Sequence, residues 1–329
     1  SISGYHIREA GPTAAEELAF TLANGFAYVE LSAQTGLSVD AFAPRLSFFF
    51  NAHIDFFEEI AKYRAARRIW ARWMKEKYGA TNERSLQLRF HAQTAGVSLT
   101  AQQPEVNIVR TAVEALAAVM GGAQSLHTNS MDEAMALPTE KAARIALRTQ
   151  QVIAHETNVT HVADPLGGSW FVEELTNKIE ELAEVMFAEI SEMGHGSMLE
   201  GCIQGIEDNW FQGRISDSAY ELERTFNSGE RIVVGANRFK EGNEDDSLDL
   251  LRISQEQEKE QRHRLATVRQ DRNDVAVSEA RQQLQDDASH ADVNLMPALI
   301  NAANSYVTLG EMMSSLGEVF GRHVEVPVI

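Results

Sequence analysis

The chain has 329 residues, 44% of them hydrophobic, which is enough to bury a sizeable core in one large or two medium domains. Its formal net charge of −19 at pH 7 argues against nucleic acid as a partner, because phosphate binding needs clustered cations. No apolar run has the length of a membrane span and no signal-peptide pattern opens the chain, so we expect no membrane partner and a cytoplasmic location.

The first predicted element is a short apolar strand that ends in Tyr5, His6 and Glu9. Two later segments, residues 86–93 and 123–129, repeat this pattern of an apolar stretch followed by histidine and other polar side chains. Each segment precedes a long amphipathic stretch with helical periodicity. Strands that alternate with helices in this way indicate part of a (β/α) barrel, in which the chemistry lies at the carboxyl ends of the strands. The pattern therefore favours an enzyme.

Helices are predicted between these strands. Thr13 begins the first with a capping-box sequence. Residues 42–50 are predicted as a loop that enters a long helix ending near Tyr78, where Gly79 stops it. Pro104 and Pro138 mark the starts of two more long helices.

The sequence changes character after Asp164, from alternating strands and helices to almost continuous helical periodicity. We therefore predict two parts: residues 1–160 as barrel, and residues 161–329 as a mainly helical trailing region that packs on the barrel and a partner subunit. A short strand is predicted at residues 231–235. The charged stretch at residues 255–288 indicates a solvated helix or a belt around a partner, and residues 295–320 predict an apolar helix.

Several residues admit two interpretations from spacing alone. The three strand-end histidines are compatible with satisfied core residues, metal ligands or groups that face an organic substrate, and no close histidine pair favours a metal site. Glu133 would close a capping box with Ser130, or belong to a site. Arg45 would start a helix, or recognise phosphate or carboxylate near the barrel mouth.

Seven motifs along the whole chain resemble those of the adenosylcobalamin-dependent acyl-CoA mutases. They are SISGYHIREAG (1–11), FAPRLSFF (42–49), RFHAQTAG (89–96), QSLHTNSMDEAMALP (124–138), DPLGGS (164–169), VGANR (234–238) and TLGEM (308–312). Their number and their order along the chain make the resemblance specific. One departure is Val97, where many members of the family have Trp.

The resemblance implies an α/β fold: the C-terminal part of a CoA-ester-binding (β/α)8 TIM barrel, with three of the eight strands, followed by the mainly helical region. It implies adenosylcobalamin as the cofactor and no metal ligand in this chain. The remaining barrel portion, and a cobalamin-binding domain or subunit that ligates cobalt, would then come from outside the chain. We therefore expect a fragment, a processed product or one half of a split subunit that works in a hetero-oligomer.

The activity implied by the resemblance is a radical isomerisation of a carbon skeleton. The family default is conversion of (R)-methylmalonyl-CoA to succinyl-CoA, with isobutyryl-, ethylmalonyl- and 2-hydroxyisobutyryl-CoA mutases as near alternatives. The residues that would separate these acyl-CoA substrates lie outside the chain. Two other functions stay open: a non-catalytic scaffold half-subunit and a metal-dependent barrel hydrolase.

The resemblance also implies roles for residues on the substrate side. His6 would be catalytic and substrate-binding, donating a hydrogen bond to the thioester carbonyl during migration. Tyr5 would lie beside the reacting carbons as a second catalytic residue. Arg45 and Ser47 would hold the CoA arm, where the guanidinium fork suits an anionic or amide-rich ligand.

A second group would bind the cofactor. The resemblance implies that Glu9 and Glu133 accept hydrogen bonds from the adenosyl ribose. The residues expected to face the corrin ring are Gln93, Gly96, Ala136 and Leu137. Gly96 suits this position because it has no side chain to prevent close approach.

Overall fold

The computed structural model describes residues 1–241, 250–322 and 324. The chain divides into two compact units, Ser1–Leu251 and Arg252–Ile329. Within the described residues, no helix combines the length and the apolar character that a membrane crossing requires.

One parallel sheet organises the first unit. Its strands in the described residues are β1 (Ile2–Ser3), β2 (Phe48–Ala52), β3 (Phe90–Thr94) and β4 (Ser125–His127). They pair in the order β1-β2-β3-β4, so each strand lies beside its neighbour in sequence. Parallel neighbours joined by helical crossovers in sequential order are the pattern of a (β/α) barrel. The predicted α/β class, with part of a TIM barrel followed by a helical region, is confirmed.

The strand count differs from the prediction, because β2 occupies residues that we predicted as a loop and the start of a helix. Phe48, Phe49 and Phe50 form a short apolar run, and such a run does not separate a strand from a buried helix by periodicity. The helix begins only after Asp55, whose side chain accepts a hydrogen bond from the Glu58 N–H. The sheet therefore has four strands in the described residues, not three.

Helices cover one face of this sheet. Those of the first unit are α1 (Tyr5–Glu9), α2 (Ala14–Gln34), α3 (Val39–Phe42), α4 (Phe56–Glu76), α5 (Glu83–Leu86), α6 (Val106–Met120), α7 (Glu140–Glu156), α8 (Trp170–Met193), α9 (Met198–Glu207) and α10 (Trp210–Ser228). The capping box predicted at Thr13 is present at the start of α2. In the core, alternate strand residues such as Phe48 and Phe50 pack against α2, α4 and α8. The Phe26 ring of α2 stacks on the Trp73 ring of α4 with a centroid distance of 4.6 Å.

Two further predicted elements of this unit are wrong. The expected strand at residues 231–235 is a turn, in which Asn237 Oδ1 accepts a hydrogen bond from the Val233 N–H. The strand expected from Leu86 begins only at Phe90, since residues 83–86 form the short helix α5.

The second unit is helical in its described residues. It contains α11 (Gln255–Asp271), α12 (Asp274–Ala288), α13 (Met296–Asn304) and α14 (Leu309–Phe320). The charged stretch 255–288, predicted as one solvated helix or a belt, forms two helices: no residue of α11 is buried, whereas α12 buries Val277, Ala280, Leu284 and Ala288. The apolar helix predicted at residues 295–320 is two helices, because Thr308 caps a new start through a capping box with Glu311.

Candidate active site

The face of the sheet opposite the helices, here called the inner face, carries the polar strand residues. Parallel register places them in rows, since aligned residues of neighbouring strands point to the same side. One row contains Ser3, Phe49, His91 and Ser125, and the next row towards the carboxyl edge contains Asn51, Gln93 and His127. The predicted residues Gln93 and His127 therefore share one edge with Asn51, which comes from the strand that was not predicted.

Tyr5 and His6 reach the inner face because the chain turns sharply after β1. A Cβ on Gly4 would lie 1.9 Å from Thr21 Oγ1, so only glycine lets this turn press against α2. The Tyr5 ring stacks on Phe49 with a centroid distance of 4.9 Å. His6 is exposed, and its Nδ1 lies 3.1 Å from Ser3 Oγ. This hydrogen bond orients the ring, and Nε2 has no hydrogen-bond partner among the described residues.

Glu9 is held at the carboxyl edge by three donors. Its Oε1 accepts from Asn51 Nδ2 at 2.7 Å and from the Gly96 N–H at 3.0 Å, and its Oε2 accepts from the Val97 N–H at 2.9 Å. Burial raises the pKa of Glu9, and these hydrogen bonds oppose the rise. The carboxylate position is therefore fixed by one strand, β2, and by the loop that follows β3.

Glu133 meets Glu9 over Gly96. A Cβ on Gly96 would lie 3.1 Å from Glu9 Oε2, 3.2 Å from Glu133 Oε1 and 3.4 Å from Asn129 Nδ2. Partial burial and the negative charge of Glu9 raise the pKa of Glu133. Two carboxylates and a glycine thus form a small polar concavity, called here the Gly96 cradle.

The structure excludes one of the two interpretations of Glu133, the capping box with Ser130. Residues 131–135 form turns, and the next helix begins at Glu140 with Thr139 as its N-cap. Thr139 Oγ1 and N donate to Asp132 Oδ2, both at 2.9 Å. No capping box with Ser130 forms, so the exposed Glu133 carboxylate is available to a ligand.

Gln93 links the two sides of the site. Its Nε2 donates to Tyr5 Oη at 2.9 Å and to Asn129 Oδ1 at 3.2 Å. Asn129 is buried, and its Nδ2 donates to the Thr94 carbonyl at 2.9 Å. Burial and the nearby Glu9 raise the pKa of Tyr5, which keeps the phenol protonated. Asn129 was not among the predicted site residues, although it lies in the motif that ends the β4 pattern.

Arg45 and Ser47 do not lie with these residues. They precede β2, Arg45 in a single 3₁₀ turn, and therefore occupy the amino edge of the sheet. The role predicted for Arg45 and Ser47, to hold the CoA arm, therefore falls at the edge of the sheet opposite Glu9 and Glu133, and it stays a prediction. Ser47 shares the inner-face side of its strand with Phe49 and Asn51, because side chains alternate with period two.

The remaining predicted residues follow Glu133 along the chain. Ala136 is half-buried, and Leu137 is exposed and forms an antiparallel bridge with Leu251. The structure thus places both in the loop that carries Glu133, after the carboxyl end of β4.

The pKa is lowered in two of the three strand-end histidines, His91 and His127. His91 Nδ1 lies 2.7 Å from Ser125 Oγ, and burial together with the nearby His127 lowers the pKa of His91. Burial also lowers the pKa of His127. Within residues 1–241, 250–322 and 324, no group of three or more His, Cys, Asp or Glu side chains has a metal-binding arrangement.

A cavity of about 740 Å³ opens beside Glu9 and Val97. Its lining is mostly apolar, with Arg110 and Arg231 as its cations. Of the predicted site residues that the structure describes, Glu9 alone lines it. The predicted site is therefore the open polar surface over the sheet edge and not this cavity.

The family model described as methylmalonyl-CoA mutase matches residues 1–322. The chain belongs to the methylmalonyl-CoA mutase family. The family resemblance drawn from the seven motifs is thereby confirmed.

Individual relatives support the same assignment. The 2-hydroxyisobutanoyl-CoA mutase large subunit of Aquincola tertiaricarbonis is 46% identical over 328 residues, which cover 100% of this chain and 57% of the relative. The mitochondrial methylmalonyl-CoA mutase of Mus musculus is 43% identical over 324 residues, 98% of this chain and 42% of the relative. The methylmalonyl-CoA mutase of Rhizobium meliloti (strain 1021) is 43% identical over 330 residues, 100% of this chain and 45% of the relative. The chain thus spans about half the length of the curated relatives it matches.

Proposed function

We propose that this chain forms the carboxyl-edge site of an acyl-CoA mutase that uses adenosylcobalamin. The observation that carries the proposal is the Gly96 cradle, in which Glu9 and Glu133 converge above a residue without a side chain. Family membership adds the reaction class. The members of the cradle come from three separate segments of sequence, so their convergence is a property of the fold and not of one motif.

The residues present fit the cofactor. Gly96 presents backbone without a side chain between the carboxylates of Glu9 and Glu133, and Glu133 is exposed. Carboxylate oxygens are acceptors that suit ribose hydroxyls. Bound adenosylcobalamin supplies the radical that removes a hydrogen atom from the substrate. Within this chain, Glu9 and Glu133 would hold the ribose, while Gln93, Gly96, Ala136 and Leu137 would face the corrin ring.

His6 is proposed to act on the thioester. Its Nδ1 lies 3.1 Å from Ser3 Oγ, and the tautomer in which Nδ1 accepts from Ser3 carries its hydrogen on Nε2. A hydrogen bond from Nε2 to the thioester oxygen would stabilise negative charge that develops there during migration. Tyr5, stacked on Phe49 beside His6, would exclude water from the reacting carbons.

The CoA arm is proposed to run along the inner face. Arg45 and Ser47 mark the amino edge, and Asn51 marks the carboxyl edge, about 13 Å further along the strand at about 3.3 Å per residue. An extended arm held at the amino edge would deliver its thioester end towards His6. The position of Arg45 at the amino edge therefore suits an extended ligand better than a compact one.

The specific substrate remains a proposal. We retain (R)-methylmalonyl-CoA to succinyl-CoA as the first candidate, and 2-hydroxyisobutyryl-CoA as a second because the relative from A. tertiaricarbonis carries that activity in its name. That name also describes a large subunit, which supports a hetero-oligomer with a cobalamin-binding partner. The division into residues 1–160 and 161–329 and the cytoplasmic location also stay predictions.

The test is a turnover assay on the complete assembly that contains this chain. Acyl-CoA esters, including methylmalonyl-, isobutyryl-, ethylmalonyl- and 2-hydroxyisobutyryl-CoA, are incubated with and without adenosylcobalamin, and the products are separated by mass spectrometry. The proposal predicts an isomer of one ester that forms only with the cofactor. A correctly assembled complex that binds corrinoid yet isomerises none of these esters would contradict it and favour the scaffold alternative.

A further inference from the structure

Asn51 stands out among the residues around Glu9 because it was not predicted and because its surroundings are unusual. It is completely buried, and its Nδ2 donates the shortest of the three hydrogen bonds to Glu9. Its Oδ1 has no hydrogen-bond partner among the described residues. The opposite amide orientation would set Oδ1 against a carboxylate oxygen, so the chemistry fixes Nδ2 as the group that faces Glu9.

A buried acceptor without a partner costs about 1–3 kcal/mol, so this amide is a poor choice for stability alone. Local rules that favour stability are broken most often at functional sites. The advantage of an amide at this position is therefore its Nδ2 donor, which faces Glu9.

The backbone of Asn51 is held in place by side chains. β1 ends at Ser3, opposite Phe49, so the Asn51 N–H and C=O extend beyond the end of that strand. Their ladder partners are replaced: the N–H donates to Glu17 Oε1 at 2.7 Å, and the C=O accepts from Lys62 Nζ at 2.8 Å and from Tyr63 Oη at 2.5 Å. Glu17, Lys62 and Tyr63 are all completely buried. Three buried polar side chains thus hold the backbone of Asn51 in place.

We infer that Asn51 is a positioning residue that fixes the Glu9 carboxylate for the ligand of the Gly96 cradle. The buried Glu17–Lys62–Tyr63 cluster sets the Asn51 backbone, and the Asn51 amide then sets Glu9. Gly96 and Val97 add their N–H groups from the loop after β3, so Glu9 is fixed between β2 and that loop. This inference rests on the proposed function, which makes the ribosyl hydroxyls of adenosylcobalamin that ligand.

Two substitutions remove the donor in different ways. Asn51→Asp keeps the shape and the backbone contacts but replaces the donor with an acceptor. Asn51→Leu removes the donor without adding charge. The matched control is Asn237→Asp, since Asn237 Nδ2 donates to the carbonyls of Phe226 at 2.9 Å and Arg231 at 2.7 Å and has no contact with Glu9.

The readout is the dissociation constant of the complete assembly for adenosylcobalamin and for hydroxocobalamin, which lacks the adenosyl group. Both Asn51 variants should weaken adenosylcobalamin binding at least fivefold relative to hydroxocobalamin and lower kcat, with the KM for the CoA ester within about twofold. Asn237→Asp should lower the melting temperature and leave the ratio of the two constants unchanged.

An unchanged ratio and unchanged kcat in both folded Asn51 variants would overturn the positioning role. An equal loss of affinity for both corrinoids would also overturn it, because it would indicate a structural role. Failure of the wild-type assembly to bind either corrinoid would instead overturn the proposed function, and with it the ligand assigned to Glu9.

Discussion

Replacement of Lys62 by methionine should destabilise the first unit strongly. Lys62 Nζ lies 2.5 Å from Glu17 Oε2 and 2.5 Å from Glu59 Oε2, and all three side chains are completely buried. Methionine has a similar length and fills most of the same volume, so the substitution removes charge and hydrogen bonds with little loss of packing.

The magnitude follows from the two carboxylates left behind. Removing one partner of a buried ion pair typically costs about 3–5 kcal/mol, because the remaining charge is uncompensated. Here two carboxylates lose their shared cation, although Arg8 lies 3.5 Å from Glu59 Oε1 and compensates in part. We therefore expect a loss of about 3–5 kcal/mol in the free energy of unfolding, a large fraction of the roughly 5–15 kcal/mol of a typical domain.

Urea denaturation followed by circular dichroism, at pH 7 and fixed salt, measures this loss. The control is Lys178→Met, which removes an exposed lysine on α8 and should change stability by less than about 0.5 kcal/mol. Adding Glu17→Gln and Glu59→Gln to Lys62→Met should restore part of the loss, because the buried charges are then absent. A loss below about 1 kcal/mol in Lys62→Met, or no recovery in the triple variant, would refute the reasoning.

Three other predictions concern acidity, catalysis and packing. Burial, Glu59 and Glu9 raise the pKa of Glu114 well above its usual 4.5, so the folded chain keeps a proton there that the unfolded chain releases. Glu114→Gln should therefore stabilise the fold at pH 7. The gain in free energy of unfolding over wild type should shrink by up to about 1.4 kcal/mol per pH unit as the pH falls towards 4.5. Urea titrations that show the same gain at every pH would contradict this sign. His6→Ala should lower kcat by roughly 10²–10⁴ with a far smaller change in CoA-ester binding, and near-normal turnover in steady-state assays would disprove its role. Phe187 is 1% exposed and packs between Phe26 and Trp73. Phe187→Ala should lower the free energy of unfolding by about 3–5 kcal/mol, as measured by thermal unfolding.

The sequence predicted those features that depend on local signals. The capping box at Thr13 needs only residues within one helical turn, and the structure shows it. Tyr5, Glu9, Gln93, Gly96 and the cradle partner Glu133 were predicted from strand ends and family motifs, and the fold brings them to one edge.

The features that the sequence did not predict depend on contacts between distant residues. The run Phe48–Ala52 has no alternation to mark a strand, and its strand state comes from pairing with β1 and β3. Because that strand was missed, Asn51 was missed with it, and the edge of the sheet at which Arg45 lies was not predicted. Ser130 and Glu133 have capping-box spacing, but Asp132 binds Thr139 instead and delays the helix.

The most direct test of the central claim is a cryo-electron microscopy structure of the complete assembly with adenosylcobalamin and a CoA ester bound. We expect the adenosyl ribose within hydrogen-bond distance of Glu9 and Glu133, the corrin ring over Gly96, and the CoA arm along the inner face as far as Arg45. A corrinoid bound away from the Gly96 cradle, or a thioester more than one water molecule from His6, would contradict it.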